Sequence, residues 1–176
     1  IEVIHNEAGL RTHDLANPFP EEANRRLIST VASLHLAPTN LAQTNLEKEG
    51  VPTSHIYVVG NTGIDSLFWA LKQEPKEAGW IRGNVVSPEY RTCLLTAHRR
   101  ESGGRPFGTL FEGLADFLRA NRDYRFIYPT HPNELGSIAA QRVAADFAEQ
   151  LVLRPPMDYV SLVHLMKDCE LVLTDS

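Results

Sequence analysis

The chain has 176 residues, 43% of them hydrophobic, enough apolar side chains to bury a core. A formal net charge of −5 and a pI near 5.8 argue against a general nucleic-acid binder, whose electrostatic footprint would be basic. No apolar run approaches the roughly 20 residues needed to cross a bilayer. Cys93 and Cys169 each adjoin an apolar run and have no second Cys or His at metal-ligand spacing. Both are expected as buried free thiols in a cytosolic protein. The chain opens inside one apolar segment and stops just past another, so both ends are expected to be cuts within a longer protein.

In chain order, short apolar runs at residues 1–4, 34–37, 56–59, 92–96, 126–128, 151–153 and 171–173 read as strands. Their near-continuous apolar character suits strands covered on both faces, as in a parallel sheet. Helical patterns lie between them. Pro20 suits a first helical position ahead of residues 21–33, and Glu21 and Glu22 favour that start. Thr39 suits an N-cap for a helix that runs to Glu49 and stops at Gly50. Residues 107–121 carry Leu110, Phe111, Leu114, Phe117 and Leu118 at helical spacing, and residues 159–167 carry Tyr159, Leu162, Val163 and Met166. Alternating strand and helix predicts an α/β fold. Residues 72–91, with scattered Gly, Pro and charge, read as the connection between two α/β units, with room for a short helix.

In open parallel sheets ligands bind at the carboxyl ends of strands, so the residues just past each strand locate the chemistry. The first strand leads into His5-Asn6-Glu7-Ala8-Gly9-Leu10-Arg11-Thr12, the fourth into His98-Arg99-Arg100-Glu101, and the fifth into Thr130-His131-Pro132-Asn133. The sixth leads to Arg154-Pro155-Pro156-Met157-Asp158, and the last to Thr174-Asp175-Ser176. Each residue also fits an ordinary role. Glu7 can cap or pair with Arg11, Glu21 can be a helix-start acid, Arg25 can face solvent, and His98 can be a structural hydrogen bonder. Taken together, carboxylates on one unit and His and Arg on another fit acid/base chemistry beside a phosphorylated leaving group. No metal-ligand set and no Gly-rich P-loop or dinucleotide loop is visible.

These motifs, with Pro18-Phe19-Pro20-Glu21-Glu22-Ala23-Asn24-Arg25-Arg26, Ala37-Pro38-Thr39, Val59-Gly60-Asn61-Thr62 with Asp65, and Leu173-Thr174-Asp175-Ser176, resemble in order and spacing the non-hydrolysing UDP-N-acetylglucosamine 2-epimerases. The resemblance covers nearly the whole chain, as an internal fragment. It implies a glycosyltransferase-B-like pair of Rossmann-like domains, both incomplete. Residues 1–72 would be the later part of the first domain, 73–90 the interdomain connection, and 91–176 the early part of a second, UDP-binding domain. It further implies reversible epimerisation of UDP-GlcNAc to UDP-ManNAc, through elimination of UDP to a 2-acetamidoglucal and re-addition.

The implied catalytic residues are Glu7, Glu21 and His98. Arg25, Met157, Leu162 and Ser176, with Glu7 and His98, would bind substrate, and Ser176 would open a phosphate-binding turn. Glu21, Arg99 and His131 would border a site for a second UDP-GlcNAc acting as activator. The resemblance implies no cofactor or metal, no nucleic-acid or membrane partner, a cytoplasmic homodimer serving cell-surface polysaccharide synthesis, and no activity for the fragment alone. The rival readings are a hydrolysing 2-epimerase releasing UDP and N-acetylmannosamine, a glycosyltransferase of the same architecture, and a non-catalytic nucleotide-sugar binder.

Overall fold

The computed structural model describes residues 1–97, 105–130 and 136–174, which fall into two compact units, Ile1–Phe68 and Trp69–Ser176. The first unit carries β1 (Ile4–Asn6), α1 (Glu21–Val31), β2 (Leu34–Ala37), α2 (Asn40–Lys48) and β3 (Ile56–Val58). The helix α3 (Thr62–Ala70) begins in this unit and ends in the next. All three strands are parallel in the order β1-β2-β3, with His5 opposite His35 and His35 opposite Ile56. A parallel pair cannot be closed by a hairpin, so each strand must be followed by a return element. Helices α1 and α2 supply it and begin on the side where the strands end.

The ends of α2 reflect local chemistry. Thr39 Oγ1 accepts from the Ala42 amide at 3.1 Å, supplying the expected N-cap. Gly50 lies at φ +91°, while the Val51 amide turns back to the Leu46 carbonyl at 3.1 Å. Pro20 sits at the N-cap of α1, one place before the expected first helical position.

The second unit carries α4 (Ala78–Asn84), β4 (Arg91–Thr96), α5 (Arg105–Ala120), β5 (Tyr124–Pro129), α6 (Gly136–Asp146), β6 (Leu151–Arg154), α7 (Tyr159–Asp168) and β7 (Leu171–Thr174). Its sheet is parallel in the order β6-β5-β4-β7. Alternation along β4 divides the core between two faces. Cys93 and Leu95 join Phe111, Leu114, Leu118, Phe126 and Tyr128 on one side, where α5 and α6 pack. Leu94 joins Ile81, Val85, Ile127 and Leu165 on the other, where α4 and α7 pack. Helix α4, inside the stretch read as a connection, therefore contributes to the core of this unit.

Burial on both faces holds only for β4 and β5 of the second unit, whose neighbour β7 leaves Leu171 and Val172 exposed. In the first unit, His5, His35 and Ile56 are buried on one face. Ile4 and Tyr57 remain 60% and 54% exposed on the other. Cys93 is buried and free, and burial pushes its thiol up to about 11. Cys169 is half-buried and free.

Candidate functional site

In the first unit the chain leaves β1 through a loop fastened at several points. Glu7 stands exposed just past the strand end in the left-handed region, at φ +57°. A bulky non-glycine residue there is uncommon and carries strain of order 1–3 kcal/mol, a feature concentrated at functional sites. The Ala8 amide donates to the Leu36 carbonyl at 2.9 Å, and Asn45 Nδ2 donates to the Gly9 carbonyl at 2.9 Å. Gly9, at φ +86°, lies so close to α2 that an added Cβ would sit 2.2 Å from the Ala42 carbonyl oxygen. The Arg11 side chain is buried and grips Glu49 as a fork, with Nε and Nη2 each 2.8 Å from a carboxylate oxygen. Glu7 is therefore not Arg11's partner, which removes one of the ordinary roles open to it.

The loop ends on Glu22. This fully buried carboxylate accepts from the Thr12 and His13 amides, each at 3.2 Å, and faces Arg25 Nη1 and Arg26 Nε, each at 3.5 Å. Burial alone would raise its pKa. The two amides, Arg11 and Arg25 outweigh that and hold the group below its ordinary value. Glu21 is exposed on the first turn of α1. Arg25, half-buried one turn on, is turned toward Glu22. At the end of β3, Asn61 Oδ1 accepts from the Gly63 amide at 2.7 Å, and Asn6 Nδ2 lies 3.5 Å from Thr62 Oγ1. A cavity of about 280 Å³ in this unit, lined by Arg26, His35, Glu49 and His55 among others, opens at the amino ends of β2 and β3. That is the opposite end of the strands from Glu7.

In the second unit the strand order reverses between β4 and β7. Such a switch point is where ligands bind in open α/β sheets. Thr96 and Thr174, the last residues of these two strands, are Cα partners, and Tyr128 Oη donates to the Ala97 carbonyl at 2.8 Å where the chain leaves β4. His98 lies two positions beyond Thr96, and Ser176 two beyond Thr174. Both, with Arg99 and His131, lie outside the described residues. After β6, Asp158 caps α7, with Oδ1 3.2 Å from the Ser161 amide and Oδ2 accepting from Ser161 Oγ at 2.7 Å. These bonds hold its carboxyl below the ordinary value. Met157 and Leu162, on either side of this cap, pack together against the Ile81–Leu165 side of the core.

Two further residues make contacts that the sequence reading did not assign to them. Glu22 had a readable signal, since Arg25 and Arg26 stand three and four residues on, where helical neighbours meet. Arg154, at the carboxyl end of β6, pairs with Glu77 and lies 4.0 Å over the Trp80 ring. Its place at a strand end was readable, but its partners are some 75 residues away in sequence, so no local signal pointed to them. Among the described residues no cluster of His, Cys, Asp or Glu could hold a metal ion, and no helix is long and apolar enough to cross a membrane.

Parallel α/β units, with polar residues gathered at strand carboxyl ends and a switch point in the second, define the doubly wound α/β class, to which the glycosyltransferase-B-like fold belongs. Within it, this chain belongs to the UDP-N-acetylglucosamine 2-epimerase family, whose model matches residues 1–176. It is 39% identical over 182 residues to the UDP-N-acetylglucosamine 2-epimerase of Yersinia pestis, covering all of this chain and 48% of that protein. To that of Escherichia coli K12 it is 39% identical over 181 residues, with the same coverage. The structure resembles that of the Neisseria meningitidis UDP-GlcNAc 2-epimerase bound to UDP-GlcNAc, with a TM-score of 0.85 and 32% identity over 100% of this chain and 48% of the other. It also resembles the Methanocaldococcus jannaschii enzyme in complex with UDP-GlcNAc and UDP, with a TM-score of 0.70 and 31% identity over 100% and 49%. The chain spans about half the length of these relatives.

Proposed function

We propose that this protein interconverts UDP-GlcNAc and UDP-ManNAc without hydrolysis, by eliminating UDP across carbons 1 and 2 and adding it back with the opposite configuration at carbon 2. The observation that carries the reading is Glu7. In a chain matched from end to end by the epimerase family, this carboxylate stands exposed and left-handed at the carboxyl end of β1. The carbon-2 proton is weakly acidic, so a positioned base and a stabilised leaving group must act together. Glu7 and Glu21 are the acid/base pair, with Arg25 beside them on α1. His98 binds the departing diphosphate, Ser176 opens the phosphate turn, and Met157 with Leu162 holds the uracil. Glu21, Arg99 and His131 border the site of a second, activating UDP-GlcNAc.

Residues 1–72 and 91–176, the latter joined by α4 of the connecting stretch, belong to two domains of a longer enzyme, which acts as a homodimer in the cytoplasm. The relatives crystallised with UDP-GlcNAc support the substrate. The test is full-length protein with UDP-GlcNAc in deuterated water, monitored by NMR. Deuterium at carbon 2 of an interconverting mixture is the expected result. Glu7→Gln and Glu21→Gln should each slow exchange by about 10²–10⁴-fold. Free N-acetylmannosamine with UDP would instead assign the hydrolysing reaction, and a protein that binds UDP without labelling would end the enzymatic reading.

A further inference from the structure

We infer that Glu22 is a positioning residue: its buried carboxylate ties the loop carrying Glu7 to the helix carrying Glu21 and Arg25, and so fixes the geometry of the acid/base pair. The inference deepens the epimerase reading and rests on it. Four groups converge on one side chain, two amides of the loop and the guanidiniums of Arg25 and Arg26. Oε2 takes the Thr12 amide and Oε1 the His13 amide, at 3.2 Å each, where the loop from β1 ends. The same Oε2 faces Arg25 Nη1 at 3.5 Å. The backbone of Glu22 is the first turn of α1, directly after Glu21.

The loop is already clamped further back, at Gly9 by Asn45 and at Arg11 by Glu49. Those contacts join it to α2, and Arg11 Nη2 also donates to Ser29 Oγ, toward the end of α1, at 2.8 Å. Glu22 adds the link at the first turn of α1, beside Glu21. His13 holds the left-handed φ of +64°, a conformation that persists where surrounding contacts impose it, and its amide donates to Glu22. Every group facing the carboxylate is a donor: two amides and two guanidiniums. Glutamine has nearly the same shape but offers only one accepting oxygen, and its amino group would be set against donors in a buried site. Aspartate keeps both acceptors and the charge on a shorter arm. Displacing a reacting group by about 1 Å can cost about 100-fold in rate, so a tether of this kind should register in turnover more than in binding.

The experiment compares E22Q and E22D with the wild type in the full-length protein. It reads carbon-2 exchange in deuterated water and, separately, hydrogen exchange at the Thr12 and His13 amides. E22Q should lose about 100-fold in kcat with KM for UDP-GlcNAc within a few fold, and its two amides should exchange faster. E22D should recover at least about tenfold of the rate and part of the protection. Wild-type kcat in E22Q, a change confined to KM, or equal losses in the two variants would each overturn the inference. If the wild type itself exchanges no deuterium, the epimerase reading fails. The tether is then judged on the amides alone, and unchanged protection in E22Q refutes it.

Discussion

At the scale of single residues, the first unit places charge where solvent cannot reach it. Arg11 is the clearest case, a fully buried guanidinium whose fork meets one carboxylate, Glu49, at 2.8 Å twice over. Removing one member of such a pair leaves the other uncompensated, at a cost of about 3–5 kcal/mol when both are fully buried. Glu49 keeps about a third of its side chain in water, which lowers the expected loss for Glu49→Gln to about 2 kcal/mol. Urea denaturation of the two proteins measures it, and a midpoint equal to wild type would mean that water replaces the fork. Gly9 makes a sharper case. Its φ of +86° and the Ala42 carbonyl, 2.2 Å from where a Cβ would lie, give Gly9→Ala both backbone strain and a clash with backbone that cannot swing aside. A loss of about 3 kcal/mol or more is expected in the same measurement.

At the scale of elements, legibility tracked the range of the interactions. The residues 34–37 strand and the Thr39-to-Gly50 helix were readable because cap, stripe and stop lie within a dozen residues. The strands near 92 and 126 were readable in place but came out longer, since partner strands extend pairing into the flanking Arg91, Tyr124 and Pro129. Helix α4 was only allowed for. Its Gly and Pro neighbours mask a pattern in which Ile81 and Val85 alone are buried, and they are buried by Leu94, Ile127 and Leu165, far along the chain. Of the site, Glu7 was readable as one of the residues after the first strand, but that strand, expected at 1–4, lies at Ile4–Asn6, and the left-handed backbone of Glu7 was not readable at all. For Glu22 the spacing to Arg25 and Arg26 was readable, but its bonds to the Thr12 and His13 amides were not, since a run of helix-start acids gives no sign of a loop folding back on it. The legible caps give a direct comparison. Thr39→Ala and Asp158→Ala each remove one side-chain acceptor from a first-turn amide, at 3.1 and 3.2 Å. Each should cost about 1 kcal/mol. Asp158 should cost more, because it also holds Ser161 Oγ and carries charge at a helix start. Equal losses in thermal melts would show that this second bond contributes nothing.

Across the whole molecule, the titratable groups that folding depresses lie in two pH ranges, which fixes the shape of acid unfolding. His5 is lowered first by burial and then by His35 and Arg11. His35 is lowered by burial, with His55 and Arg11 adding to it and a hydrogen bond to the Ala32 backbone opposing. Their ordinary value is 6.5, and as pH falls through it the unfolded chain takes up protons that the folded chain refuses. Their contribution is therefore complete above 6.5 and drains away as pH falls toward the depressed folded values.

The carboxylates act lower down. Glu22 is held down by amides and arginines against its burial, and Glu49 mainly by the Arg11 fork. Their ordinary value is 4.5, so their contribution is intact at neutral pH and is lost only as pH falls below 4.5. The melting temperature should thus decline in two stages, gently below about 6.5 and steeply below about 4.5. His35→Asn should flatten the first stage while leaving the second. Glu49→Gln should start from a lower melting temperature and lose part of the second stage, since its loss is already incurred at neutral pH. A wild-type melting temperature that stays constant from about pH 7.5 down to about pH 5 would mean that the two buried histidines titrate alike folded and unfolded, and would refute the first stage.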